Sequence, residues 1–130
     1  MNPIFLVGSG GALGAIARYL FSRWITTMVM SSTITLWPVG TFVVNVLGSF
    51  FLAAFTSWVV RQSGISTDSQ LFFATGFCGA FTTFSTFANE SISLLRMGET
   101  LTGITYIVLT NFACLFAVLL AIWLTNRSLA

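Results

Sequence analysis

Three groups of polar residues stand at helical spacing inside otherwise apolar sequence. Thr41, Asn45 and Ser49 recur every four residues, as do Thr102, Tyr106, Thr110 and Cys114, so each set forms one stripe along a helix. The third group is the run Thr75-Gly76-Phe77-Cys78-Gly79-Ala80-Phe81-Thr82-Thr83-Phe84-Ser85-Thr86-Phe87. What these residues share is neutral hydrogen-bond donation: the Asn45 amide has two N–H groups, threonine, serine and tyrosine one O–H each, and cysteine a weak S–H. Donors without a permanent charge suit a weakly held, mobile anion better than a tight site, because conduction requires binding weak enough to leave. A phenylalanine ring has an electropositive edge, so the edges of Phe84 and Phe87, intermixed with Ser85 and Thr86, offer the same kind of contact. Two glycines and a Thr-Thr pair weaken the helix in mid-run. Carbonyls freed by such a break are hard oxygen ligands, fitted to an alkali or alkaline-earth cation rather than to zinc.

Each group also has a plainer reading. Asn45 serves equally as an interhelical hydrogen bond. The glycine run serves as a kink satisfied by threonine back-bonding, the phenylalanines as packing, and the last stripe as a contact with a neighbouring helix. Two charges lie close to these groups. Arg18 either attracts an anion or snorkels to the interface. Glu90, one turn after Phe87, is an interfacial carboxylate that would influence access to a pathway.

The elements that must position these residues are transmembrane helices. Of 130 residues, 56% are hydrophobic and 6% charged, with no lysine and no histidine, against about 25% charge in a soluble domain. A basic nucleic-acid-binding stripe, a disordered tail and imidazole-based metal or triad chemistry are thereby excluded. No nucleophile–base pair is present, so no enzymatic activity is expected. Residues 1–17, 24–60, 69–89 and 100–126 carry no charged side chain. A span needs about 20 apolar residues, which predicts a single all-α transmembrane domain over 1–130, with helices at about 4–27, 38–60, 69–95 and 101–125. The N-terminal run lacks the basic start of a cleaved signal. Its glycines (Gly8, Gly10, Gly11, Gly14), like Gly40, Val44 and Gly48 of the second span, suit close helix contact. Short loops are expected at 31–35 (followed by Trp37-Pro38), 62–68 and 97–99. Trp24, Trp37, Trp58 and Trp123 fall near span ends as an interfacial belt. Cys78 and Cys114 lie within spans and are not expected to pair.

Arginine bias sets orientation, and here it is nearly absent. Arg61 and Arg127 lie on one side, Arg23 and Arg96 on the other, where Arg18, if counted, makes a third. The expectation is insertion in both orientations, with oppositely oriented copies pairing; the plainer alternative is a weak bias with one fixed orientation.

The sequence Gly40-Thr41-x-x-Val44-Asn45-x-x-Gly48-Ser49-Phe50, followed by Gly76-Phe77-Cys78-Gly79-x-x-Thr82-Thr83-Phe84-Ser85-Thr86-Phe87, resembles the Fluc (CrcB) family of fluoride channels over the whole chain. The resemblance implies an antiparallel dual-topology homodimer in the bacterial inner membrane, with the third helix broken mid-membrane and two fluoride pathways at the interface. It implies a structural sodium ion at the dimer centre, held by backbone carbonyls that correspond to Gly79 and Thr82. Phe84 and Phe87 correspond to the pore phenylalanines, Asn45 to the pore asparagine, and Tyr106, Thr110 and Cys114 to the polar track. Arg18 corresponds to the first-helix arginine and Glu90 to the acid after the phenylalanine motif; Thr41, Ser85 and Thr86 are taken with the pathway. Cys114 departs from the usual hydroxyl, and Ala80 replaces what is often a second glycine. The competing readings are a small proton-coupled drug exporter, which needs a titratable carboxylate deep in a span, and a non-conducting assembly subunit, which leaves the polar stripes without a task.

Overall fold

The computed structural model describes residues 1–32, 36–62 and 65–128, and every regular element among them is helical. Helix α1 covers Pro3–Ser32 and α2 Val39–Arg61. A third helical path follows in pieces: α3 (Thr67–Gln70), a π-helical segment (Leu71–Cys78), α4 (Gly79–Phe81) and α5 (Phe84–Arg96). Helix α6 (Thr100–Ser128) completes the chain. Four stretches are long and apolar enough to cross a membrane: Pro3–Val29, Val39–Arg61, Thr67–Arg96 and Thr100–Arg127.

The connections depart in detail from those expected. Ser31 and Ser32 continue α1, while positions 33–35 of the expected first loop lie outside the described residues. In the second connection, positions 63 and 64 also lie outside them. Thr67 and Asp68, expected as loop, instead open α3, because the Ser66 hydroxyl caps that helix by accepting from the Ser69 N–H (3.2 Å). The last connection is a glycine-terminated turn. Gly98 takes φ +84°, the Gly98 N–H donates to the Leu95 carbonyl (3.2 Å), and the Glu99 N–H to the Leu94 carbonyl (3.0 Å). This pair of bonds satisfies the last carbonyls of α5 and reverses the chain into α6.

Packing divides by side-chain size. Helix α1 lies against the π-helical segment at bare backbone: a Cβ added at Gly10 would strike the Phe72 carbonyl oxygen, and one at Gly14 the Phe77 carbonyl oxygen. Gly76 faces Gly10 and Val7 from the other side. Helices α2 and α6 run parallel, joined at one end by the Thr41–Glu90–Tyr106 cluster and at the other by Arg61 and Asn126. The small buried core is Phe87, Leu94 and Tyr106, with Trp37, Phe42 and Ile107 packed against it. Trp37 therefore does not belong to an outward-facing aromatic belt: its ring meets Tyr106 edge-on (5.4 Å, 77°). Trp24, Trp58 and Trp123 do face outward.

Candidate functional site

The stripes from α2 and α6 meet the residues between α4 and α5. Thr82 (φ −82°, ψ 157°) and Thr83 (φ −150°, ψ 107°) are extended, and the Thr83 N–H leaves the helical ladder for Asn45. Their polar groups are taken up from several directions. Asn45, reaching over from α2, donates from Nδ2 to the Thr83 carbonyl (3.1 Å) and accepts the Thr83 N–H on Oδ1 (2.8 Å). This two-way clamp uses one of the two amide N–H groups and leaves the other. Arg18 donates from Nε to the Ala80 carbonyl (3.2 Å). The Thr83 hydroxyl accepts the Thr86 N–H (3.2 Å), capping α5, and donates to the Thr86 hydroxyl (2.9 Å). Thr82 turns back, its N–H and Oγ1 both donating to the Cys78 carbonyl (3.1 Å each).

The Gly79 and Thr82 carbonyls are among those that lose their helical donors in this arrangement. In an uninterrupted α-helix the Gly79 carbonyl would receive the Thr83 N–H and the Thr82 carbonyl the Thr86 N–H. Here the first N–H goes to Asn45 and the second to the Thr83 side chain. Gly79 is exposed and Thr82 half-buried. These oxygens suit a hard cation approaching from outside the chain.

A cavity of about 250 Å³ lies beside these residues, lined by Asn45, Ser49, Leu52, Thr82, Phe84, Phe87, Thr110, Asn111 and Cys114. Phe87 is 6% exposed and Phe84 76%, their ring centres 5.7 Å apart. Thr110 is 3% exposed, and its Oγ1 is the one buried side-chain oxygen or nitrogen among the described residues without a hydrogen-bond partner. An unpaired O–H in such a place costs free energy unless something else accepts from it.

A second cavity, about 170 Å³, lies on the far side of the Asn45–Thr83 clamp. It is lined by Arg18, Tyr19, Ser22, Arg23, Thr41, Val44, Thr83, Thr86 and Glu90. Glu90 accepts from the Thr41 hydroxyl on one oxygen and from the Tyr106 hydroxyl on the other, each at 2.8 Å. The Arg23 guanidinium donates to the Tyr19 hydroxyl (2.9 Å). The arrangement is a pair of small cavities, the first lined by neutral donors and ring atoms, the second flanked by two arginines, with an amide clamp between them.

Residues 5–122 match the family described as CrcB-like protein, Camphor Resistance (CrcB). The chain belongs to this family. A protein of Rhizobium meliloti (strain 1021) named Fluoride-specific ion channel FluC is 41% identical over 108 residues, 83% of each chain. Proteins of that name from Azobacteroides pseudotrichonymphae genomovar. CFP2 and Aquifex aeolicus (strain VF5) are each 38% identical, the first over 97% of this chain and 98% of its own, the second over 89% and 90%. Four helices long enough to span, in a CrcB chain, make this a multi-pass protein of the bacterial inner membrane.

Within the CrcB chain the expected site residues fall into separate places. Asn45, Phe84, Phe87, Thr110 and Cys114 share the first cavity, and Arg18, Thr41, Thr86 and Glu90 the second. Tyr106 is fully buried with its hydroxyl on Glu90, and Ser85 is exposed, its hydroxyl 3.3 Å from that of Thr83. Sequence reasoning passed over Asn111 and the pairing role of Thr83. Asn111 is one residue, or about 100°, off the Thr110 stripe, and its amide donates to the Ile107 carbonyl (2.7 Å) while lining the first cavity. An amide in the middle of an apolar helix was the available signal.

Proposed function

We propose that this chain is a passive, fluoride-selective channel that lets the cytoplasm shed fluoride, acting as an antiparallel dual-topology homodimer with two pores and a central structural sodium ion. The observation that carries the reading is the buried, unpartnered Thr110 hydroxyl lining a cavity whose other polar walls are neutral donors. Fluoride is small and strongly hydrated, so a path that dehydrates it must offer replacement donors along its length. Thr110 Oγ1, the second Asn45 N–H, the Asn111 amide, Cys114 and the phenylalanine edges are candidates in the first cavity. The arginines beside the second would raise the local anion concentration. Tyr106 and Thr41 take a different part: their O–H groups are committed to Glu90, whose carboxylate lines the second cavity beside the arginines.

The dimer reading draws support from the near-balance of arginines and from polar or path-lining groups that are exposed in mid-span, Phe84, Ser85 and Asn111. The Gly79 and Thr82 carbonyls, relieved of their amide donors, would hold the sodium ion. Its charge would offset repulsion between two anion paths. The relatives' printed name, Fluoride-specific ion channel FluC, favours fluoride as the permeant ion.

The test is efflux from proteoliposomes loaded with both fluoride and chloride. Fluoride is expected to leave rapidly without a proton gradient while chloride is retained. Purified, well-folded dimer that releases no fluoride, or that releases chloride as readily, overturns the reading. Flux abolished by collapsing the proton gradient would instead favour the proton-coupled exporter.

A further inference from the structure

At the end of the molecule where α2 and α6 finish side by side, a notch of about 340 Å³ opens between their last turns. Its walls are Thr56, Ser57, Val60, Arg61 and Asn126. We infer that this notch is a binding site for the phosphodiester headgroup of an anionic membrane lipid, with Arg61 as the cationic anchor.

Depth is the first reason. Trp58 and Trp123 stand outward in these same terminal turns, and outward tryptophans mark the headgroup level of a bilayer. Val60, beside Arg61, is 86% exposed, so the wall of the notch continues directly onto surface that acyl chains would cover.

Charge is the second. Among the described residues the one ion pair joins the Met1 amino group to Asp68 (2.9 Å), so no carboxylate of those residues pairs with Arg61. The Arg61 guanidinium donates from Nη2 to the Asn126 Oδ1 (2.7 Å). That single bond leaves four of its five N–H groups available, in the fork that matches phosphate oxygens. It also holds the side chain across two helices in advance of any ligand, which lowers the ordering cost of binding.

The third reason is the remaining wall. The Asn126 amide keeps its own N–H donors when its oxygen accepts from Arg61, and Ser57 offers a hydroxyl. Thr56 donates to the Leu52 carbonyl (2.9 Å) and the Ala53 carbonyl (3.2 Å), so it lines the notch as a spacer. The carbonyl ends of α2 and α6 disfavour an anion. All the attraction therefore rests on Arg61, and its replacement is decisive. Arg127 provides the control, because its guanidinium lies over the Trp123 ring (4.5 Å) and it does not line the notch.

The experiment is native mass spectrometry of the full chain released from bilayers of equal phosphatidylglycerol and phosphatidylcholine. The unmodified protein is expected to retain phosphatidylglycerol in preference. R61Q should lower the retained fraction at least fivefold, N126A two- to threefold, and R127Q less than twofold. Conservative R61K, which keeps charge but not the fork, should fall between. Retention unchanged in R61Q, or equal retention of the two lipids by the unmodified protein, overturns the proposal. Displacement of the lipid by millimolar inorganic phosphate would also overturn it, because the site would then serve an aqueous anion. Fluoride efflux is a separate readout: R61Q is expected to conduct normally in bilayers of either lipid, so failure here leaves the channel reading intact.

Discussion

Tyr106 and Thr110 are one turn apart on α6 and carry the same O–H group, but the two hydroxyls have different obligations. Tyr106 is fully buried and donates to Glu90, whereas Thr110 is buried with nothing to donate to. The two positions therefore separate stability from conduction. Tyr106→Phe leaves one Glu90 oxygen without its donor and is expected to destabilise the chain by about 1–3 kcal/mol, read as a lower unfolding midpoint in detergent. Thr110→Val removes a hydroxyl that has no internal partner, so the unfolding midpoint should not fall. If that hydroxyl contacts the permeating ion, fluoride efflux should drop roughly tenfold, the effect of losing about 1.4 kcal/mol at the barrier. The phenylalanines divide in the same way. Phe87 is buried against Tyr106 (ring centres 5.3 Å apart) while Phe84 is mostly exposed. Phe87→Ile should cost both stability and flux, and Phe84→Ile flux alone. Normal efflux in Phe84→Ile would return that ring to a packing role.

At the scale of elements, the residues between α4 and α5 depend on α2. Asn45 contributes both a donor and an acceptor to Thr83. Asn45→Leu is expected to deprive the part-buried Thr83 N–H and carbonyl of their side-chain partner, at about 1–3 kcal/mol for a group left unpaired, and to abolish efflux. Asn45→Asp, retaining the acceptor alone, should unfold at an intermediate temperature. Identical midpoints for all three proteins would mean that Thr83 finds other partners. How far these elements were legible from sequence follows from the range of the interactions. The four long apolar helices are written in local composition, and the α6 stripe in a period of four. The clamp joins residues 38 positions apart, and the Glu90–Thr41 bond residues 49 apart, distances at which no periodicity operates. The π-helical path of Leu71–Cys78 was equally hidden, because an apolar run reads the same whether its hydrogen bonds close at four residues or five. Asn111 escaped because a stripe drawn through Thr110 excludes its immediate neighbour.

For the molecule as a whole, orientation is the open variable on which the dimer reading stands or falls. A C-terminal tag should be reached by an impermeant reagent from both sides of the membrane, in comparable amounts. Labelling from one side alone would exclude an antiparallel pair. The glycine contact between α1 and the π-helical segment bears on how such a small bundle tolerates change. Gly10 and Gly14 meet peptide carbonyls, not side chains. A bulky intruder in an ordinary core can be accommodated by trimming whatever it hits. Here the obstacle is main chain, which every amino acid possesses, so no second-site substitution can shorten it. Errors at these two positions should therefore resist suppression, and a search for compensating mutations should return reversion to glycine.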